Sequence, residues 1–263
     1  MTRRAWTIAA SLVGVAAVVA AALVLSQGAT PDAMPSASAT SPSVTPTRTS
    51  SPRPSPSVTP TSSPTSSPTP SMSTSGLLRI PRDAKGNARV LVTGDSLAAG
   101  FFASTEAQGF SSLVTGALGR VTPTTVSRAH QTLSTVAGVT EVPPDLDLAV
   151  IELGTNDVGI PTPLADFEAQ YGDLLGRIRT SSPDAALVCL GTWTHDGAAY
   201  DEVIARSCAA NAGRYVSLAG LFAVAELHGP AGRDTFVGTG DEFHPNDAGH
   251  RAIADAVLAV LAR

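Results

Sequence analysis

Ser96 is the residue of this chain whose setting most suggests chemistry. It stands in Gly94-Asp95-Ser96-Leu97, directly after the apolar run Arg89-Val90-Leu91-Val92-Thr93. Gly94 permits a sharp turn there. The turn would lift the serine hydroxyl to the edge of a sheet, beside a helix start whose backbone N–H groups face outward. Such a hydroxyl is a weak nucleophile until a base removes its proton. Read alone, the motif fits an N-cap serine equally well. A base is available in Asp241-Glu242-Phe243-His244-Pro245-Asn246. An Asp and a His three residues apart lie about one turn from each other, so the carboxylate can accept from one imidazole nitrogen and aim the other. Gly154-Thr155-Asn156-Asp157 places an amide at the end of a second apolar run. The Asn156 N–H groups could stabilise a developing oxyanion, although in isolation such a tetrad reads as a turn. Asp157 is expected to hold that loop rather than to react.

Together, and in this order, the three blocks resemble the GDSL-type, or SGNH, hydrolase family. Gly94-Asp95-Ser96-Leu97 is similar to its nucleophile motif, Gly154-Thr155-Asn156-Asp157 to its Gly-x-Asn-Asp block, and Asp241 to His244, followed by Pro245, to its terminal Asp-x-x-His. The resemblance implies a three-layer α/β/α, flavodoxin-like fold and ester hydrolysis. It implies Ser96 as nucleophile, His244 as general base and acid, and Asp241 as the residue orienting His244. Oxyanion donors would be the Ser96 backbone N–H and Asn156. One block departs from the family. The stretch Val126-Ser127-Arg128-Ala129-His130-Gln131-Thr132-Leu133-Ser134 lacks the glycine whose N–H usually completes the oxyanion hole. Gln131 or, in preference, Thr132 would take that place. A lost oxyanion donor costs about 10²–10³ in rate.

Other residues are less decisive. His130 lies in the altered block and could touch substrate, or be a surface His. Trp193, with His195 close behind, follows a strand end and could line the pocket, or pack in the core. His228 has no readable context. Cys189 and Cys208 sit in no zinc or redox motif. An oxidising compartment would allow a Cys189–Cys208 disulfide, with two buried thiols the alternative. No metal and no cofactor is expected.

The elements that must position these groups alternate. Residues 89–93, 148–153 and 186–190 are near-continuous apolar runs that end at glycines, and Thr124–Val126 and Arg214–Leu218 are shorter candidates. Helical patterns cover Phe110–Leu118, Leu164–Arg179, Ala198–Ala212, and a last stretch from about Asn246 to Leu261. Such alternation predicts an α/β domain with a mostly parallel sheet covered on both faces. Ligands bind beyond the carboxyl ends of such strands, where the motifs fall.

The expected domain occupies residues 76–263 of the 263-residue chain. The first 75 residues hold four Arg and one Asp, so the rest holds 13 of the 17 basic and 21 of the 22 acidic residues. An acidic domain without a basic run argues against nucleic acid and against a grip on anionic lipid. Residues 30–75 contain eleven of the twenty prolines among Ser and Thr and read as a disordered linker or stalk. In residues 1–29, Arg3 and Arg4 precede an uncharged stretch from Ala5 to about Leu25, long enough to span a bilayer. The segment is either a cleaved signal peptide or, our preference, a retained anchor placing the rest outside.

The sequence thus predicts an extracytoplasmic serine ester hydrolase acting on a small-molecule, polysaccharide or lipid ester. The rivals are an O-acyltransferase on the same site and a catalytically weak cell-surface binding module. Oligomeric state is not legible.

Overall fold

In a computed structural model of the protein, residues 76–262 are described. The expected anchor and linker lie outside the described residues. Five strands form one parallel sheet: β2 (Ala88–Gly94), β3 (Val121–Ser127), β4 (Leu148–Glu152), β5 (Ala186–Leu190) and β6 (Arg214–Val216). A two-residue strand, β1 (Leu78–Arg79), precedes them and pairs with β9 (Leu261–Ala262), tying the ends of the described region together. The order is β3-β2-β4-β5-β6. The chain therefore turns one way from β2 to β3 and the other way from β3 to β4, and a switch of this kind directs a ligand to the region beyond the carboxyl ends of β2 and β4.

The apolar runs are strands because both of their faces are covered. Val90, Val92, Leu148, Val150, Val188 and Leu190 pack on one face with α1 (Phe110–Leu118) and α7 (Asp247–Ala259). Leu91, Ala149, Ile151, Leu187 and Cys189 face the other way, against α2 (Leu133–Val139), α4 (Leu164–Ser181) and α5 (Ala198–Ala210). Cys189 of β5 and Cys208 of α5 form a disulfide, which fixes that helix to the sheet.

The expected strands and four long helices are present within a few residues of their predicted bounds. Missing from the sequence reading are α2, the short α3 (Thr155–Gly159) and α6 (Ala219–Phe222), and the hairpin of β7 (Asp234–Thr235) and β8 (Gly238–Thr239). The expected helix after Ser96 is replaced by turns over residues 95–102. Ala99 donates to the Asp95 carbonyl as in one helical turn, and Gly100, at φ +76°, then breaks the helical path.

Candidate active site

Ser96 and His244 arrive from opposite ends of the domain. Ser96 leaves the sheet after β2, in a turn that needs Gly94. A Cβ there would lie 2.5 Å from the Glu152 carbonyl oxygen and 2.6 Å from Glu152 Oε2, so any side chain would collide with β4. His244 lies just before α7, whose start is fixed by Asn246. That side chain caps the helix by accepting from the Ala248 and Gly249 N–H groups at 3.0 and 3.1 Å.

The His244 Nε2 is 2.9 Å from Ser96 Oγ. Its Nδ1 is 2.8 Å from Asp241 Oδ2. Because a carboxylate only accepts, Nδ1 carries the hydrogen and Nε2 presents its lone pair to the hydroxyl. Asp241 Oδ1 also accepts from the backbone N–H groups of Phe243 and His244, at 2.9 and 2.8 Å, so the loop grips its own carboxylate. Ser96 and His244 are buried, at 4% and 5% exposure. Burial pushes the His244 pKa below its usual value, against the opposing hydrogen bond and charge of Asp241. Burial pushes Asp241 up, but the His244 N–H and imidazole outweigh it and leave that pKa below the usual carboxylate range. An imidazole held neutral with its free nitrogen on a hydroxyl can take that proton.

Asn156 opens α3 beyond β4. Its Nδ2 donates to Asp95 Oδ2 at 2.9 Å and to the Gln131 carbonyl at 3.1 Å. Both hydrogens are therefore engaged, and a new oxyanion has to share them or displace the Gln131 oxygen. Asp157 holds the neighbouring loop, accepting from Leu133 N at 2.9 Å and Thr162 Oγ1 at 2.7 Å. Thr132 is the N-cap of α2. The Gln131 N–H points to the Arg128 carbonyl at 3.3 Å. Between these turns His130 takes φ +59°, a left-handed conformation usual for glycine, in the block where the resemblance leads one to look for a glycine. Its exposed ring meets those of His244 and Phe101 edge-on at 6.2 and 6.1 Å.

Of the two places the sequence allowed Trp193, the structure gives it the core rather than the pocket wall. It is fully buried, and its Nε1 donates to the Phe243 carbonyl at 2.8 Å. Its contribution is to the loop holding His244. The exposed His195 packs on Phe222. His228, which had no context in the sequence, has one ring nitrogen 2.8 Å from the same Phe243 oxygen and the other 2.8 Å from the Phe222 oxygen. Three further groups were missed. Phe102, Phe243 and Phe101 pack around the His244 ring at 4.8, 5.2 and 6.0 Å. His250 is buried in the first turn of α7 and accepts from the Phe110 N–H at 3.3 Å, so its other nitrogen donates to the Phe101 carbonyl at 2.7 Å. Glu152 is fully buried under the Ser96 turn. It alone had a readable signal, as a charge inside an apolar strand. Among the described residues, no group of three or more His, Cys, Asp or Glu is arranged to hold a metal ion.

The family model described as GDSL-like Lipase/Acylhydrolase matches residues 92–252, from within β2 to within α7, spanning all three motifs. The chain belongs to the GDSL-like lipase/acylhydrolase family. As a GDSL-like hydrolase it acts on carboxylic ester bonds. Compared by sequence with curated proteins, it matches none. Solved structures share its fold. An extracellular lipase from Streptomyces rimosus is 16% identical with a TM-score of 0.53, over 66% of this chain and 99% of that one. A phospholipase A1 from Streptomyces albidoflavus NA297 is 18% identical with a TM-score of 0.50, over 66% and 99%. A family 2 carbohydrate esterase from Corynascus thermopiles, with its carbohydrate-binding domain, is 17% identical with a TM-score of 0.51, over 68% and 67%.

Proposed function

We propose that this GDSL-like hydrolase is an extracytoplasmic serine esterase working through an acyl-enzyme on Ser96. The observation that carries this is the 2.9 Å approach of His244 Nε2 to Ser96 Oγ, with Nδ1 tethered to Asp241. In this reading, Ser96 Oγ attacks the ester carbonyl while His244 takes its proton. The carbonyl oxygen becomes an oxyanion facing the Ser96 N–H and the Asn156 amide, with the Thr132 N–H as the third candidate donor. The intermediate collapses, the alcohol leaves with the proton from His244, and the acyl group stays on Ser96. Water then attacks with His244 again as base, releasing the acid and restoring the hydroxyl.

Export is supported by Arg3 and Arg4 before an apolar stretch, by the Pro/Ser/Thr-rich residues 30–75, and by the disulfide, which suits an oxidising compartment. The substrate in this reading is a carbohydrate or lipid ester, the two classes named among the structural neighbours. The test offers full-length protein p-nitrophenyl acetate and longer esters beside Ser96→Ala. Turnover lost in the variant is the expected result. A folded protein with no turnover on any ester would sink the reading. Preferential transfer of the acyl group to an added alcohol or sugar would make it an acyltransferase.

A further inference from the structure

Two carboxyl groups lie back to back beneath Ser96, and both are fully buried. Glu152 ends β4, and its Oε2 accepts from the Asp95 and Ala98 N–H groups at 3.1 and 3.2 Å. The Asp95 side chain accepts much more. Its Oδ1 takes the Leu97 N–H at 3.2 Å and faces the Ser96 hydroxyl at 3.3 Å, while its Oδ2 takes the Asn156 amide at 2.9 Å. Neither carboxyl makes an ion pair among the described residues. Tyr171 is the other ionisable group facing Glu152; it too is fully buried, and its hydroxyl has no partner among the described residues.

Two bare charges on neighbouring carboxyls, out of water and without a cation, would repel strongly, so one of the two carries a proton. The proton belongs on the group with fewer donors. Glu152 has two, both on Oε2, and its buried Oε1 has no partner among the described residues. Asp95 is the better solvated anion. Burial pushes both groups up, Glu152 further, with the Asp95 charge adding to its rise.

We propose that Glu152 is a positioning residue of the active site: a neutral carboxylic acid whose Oε2 holds the Ser96 turn through the Asp95 and Ala98 N–H groups, leaving Asp95 the anion that aims the Asn156 amide. The positioning role rests on the esterase reading; the location of the proton does not. The experiment therefore has two arms, both on full-length protein. Infrared spectra at pH 7 of wild type and Glu152→Gln should differ by the carbonyl band of a buried protonated carboxyl, present only in wild type. Absence of that band from wild type overturns the proposal whether or not any ester is hydrolysed. In the kinetic arm, Gln is neutral at every pH and can accept from both N–H groups through its amide oxygen. Glu152→Gln should keep kcat within about threefold of wild type with an unshifted pH profile. Glu152→Leu should lose about 10- to 100-fold in kcat at nearly constant KM. A folded Leu variant with wild-type kcat, or a Gln variant as impaired as the Leu variant, overturns the proposal. If the Leu variant does not fold, the infrared band and the Gln variant still decide it.

Discussion

The indole N–H of Trp193 donates to the carbonyl oxygen of Phe243 at 2.8 Å, one residue before His244. Trp193 follows β5, so the sheet itself anchors the loop that brings the imidazole to Ser96. Trp193→Phe removes the donor while keeping an aromatic ring in the core. We expect a stability loss of about 1–3 kcal/mol from the lost hydrogen bond and the smaller ring. We also expect a several-fold fall in kcat, as the approach of His244 to Ser96 loosens. Chemical denaturation and steady-state kinetics check both. Unchanged kcat and stability with a large rise in KM would mean that Trp193 meets substrate after all.

The pH–rate profile follows from His244, which must be neutral to act as a base. Its pKa is lowered by burial, so the acid limb of kcat/KM should have its midpoint below 6.5 and level off above it. Asp241 raises that pKa and the charge of His130 lowers it. Asp241→Asn should therefore move the limb further towards acid while reducing the plateau on the order of 10²–10⁴-fold. His130→Asn, whose side chain tolerates a positive φ, should move it towards neutrality. Shifts of the opposite sign in either variant would contradict this account of the site.

His250 makes the fold itself acid-sensitive. Its buried ring accepts from the Phe110 N–H, which a protonated imidazole cannot do. Burial, against the pull of the Phe101 carbonyl, lowers its pKa to about 4. With an ordinary value of 6.5 in the unfolded chain, the unfolded state binds the proton first. The contribution to stability is thus complete above 6.5 and lost as the pH falls towards 4, at most about 3 kcal/mol. Urea denaturation at several pH values across this window should show a shallower dependence in His250→Asn than in wild type. Equal slopes would remove His250 as the cause.

The disulfide is expected to act on stability and to leave the chemistry alone. Cys189 and Cys208 are fully buried and 19 residues apart. Closing a loop of that length is worth about 3 kcal/mol in the chain-entropy account. The double variant Cys189→Ala, Cys208→Ala should lower the urea midpoint correspondingly and keep most of kcat. A variant as stable as wild type would show that α5 needs no tether.

Much of this was legible in the sequence, for reasons of range. The strands over Val90–Val92, Leu148–Ile151 and Ala186–Leu190 are apolar on both faces, and the helices follow local periodicity, so neighbouring residues suffice to find them. The spacing of Asp241 and His244 is likewise local. What could not be read depends on residues far apart in the chain. The indole of Trp193 finds its hydrogen-bond partner, the Phe243 carbonyl, 50 residues later. The environment of Glu152 is set by the turn at Asp95, 57 residues earlier. The left-handed backbone of His130 is invisible in its residue type, because glycine is the usual signal for that conformation.

That same histidine yields the last prediction, about the acyl group. Ser96 is only 4% exposed. The rings of Phe101, Phe102, Phe243 and His130 stand around His244. An extended alkyl chain has little room to enter among them, so wild type should turn over p-nitrophenyl acetate faster than the octanoate. His130→Gly removes one ring of this enclosure and relaxes a backbone that already holds φ +59°. The ratio of octanoate to acetate kcat/KM should then rise by about 10-fold, the scale on which a pocket discriminates one or two methylenes. Stability should change little or improve, since the strain of a left-handed non-glycine residue is relieved. An unchanged ratio in a folded His130→Gly protein would place the acyl chain elsewhere and leave His130 as a surface residue.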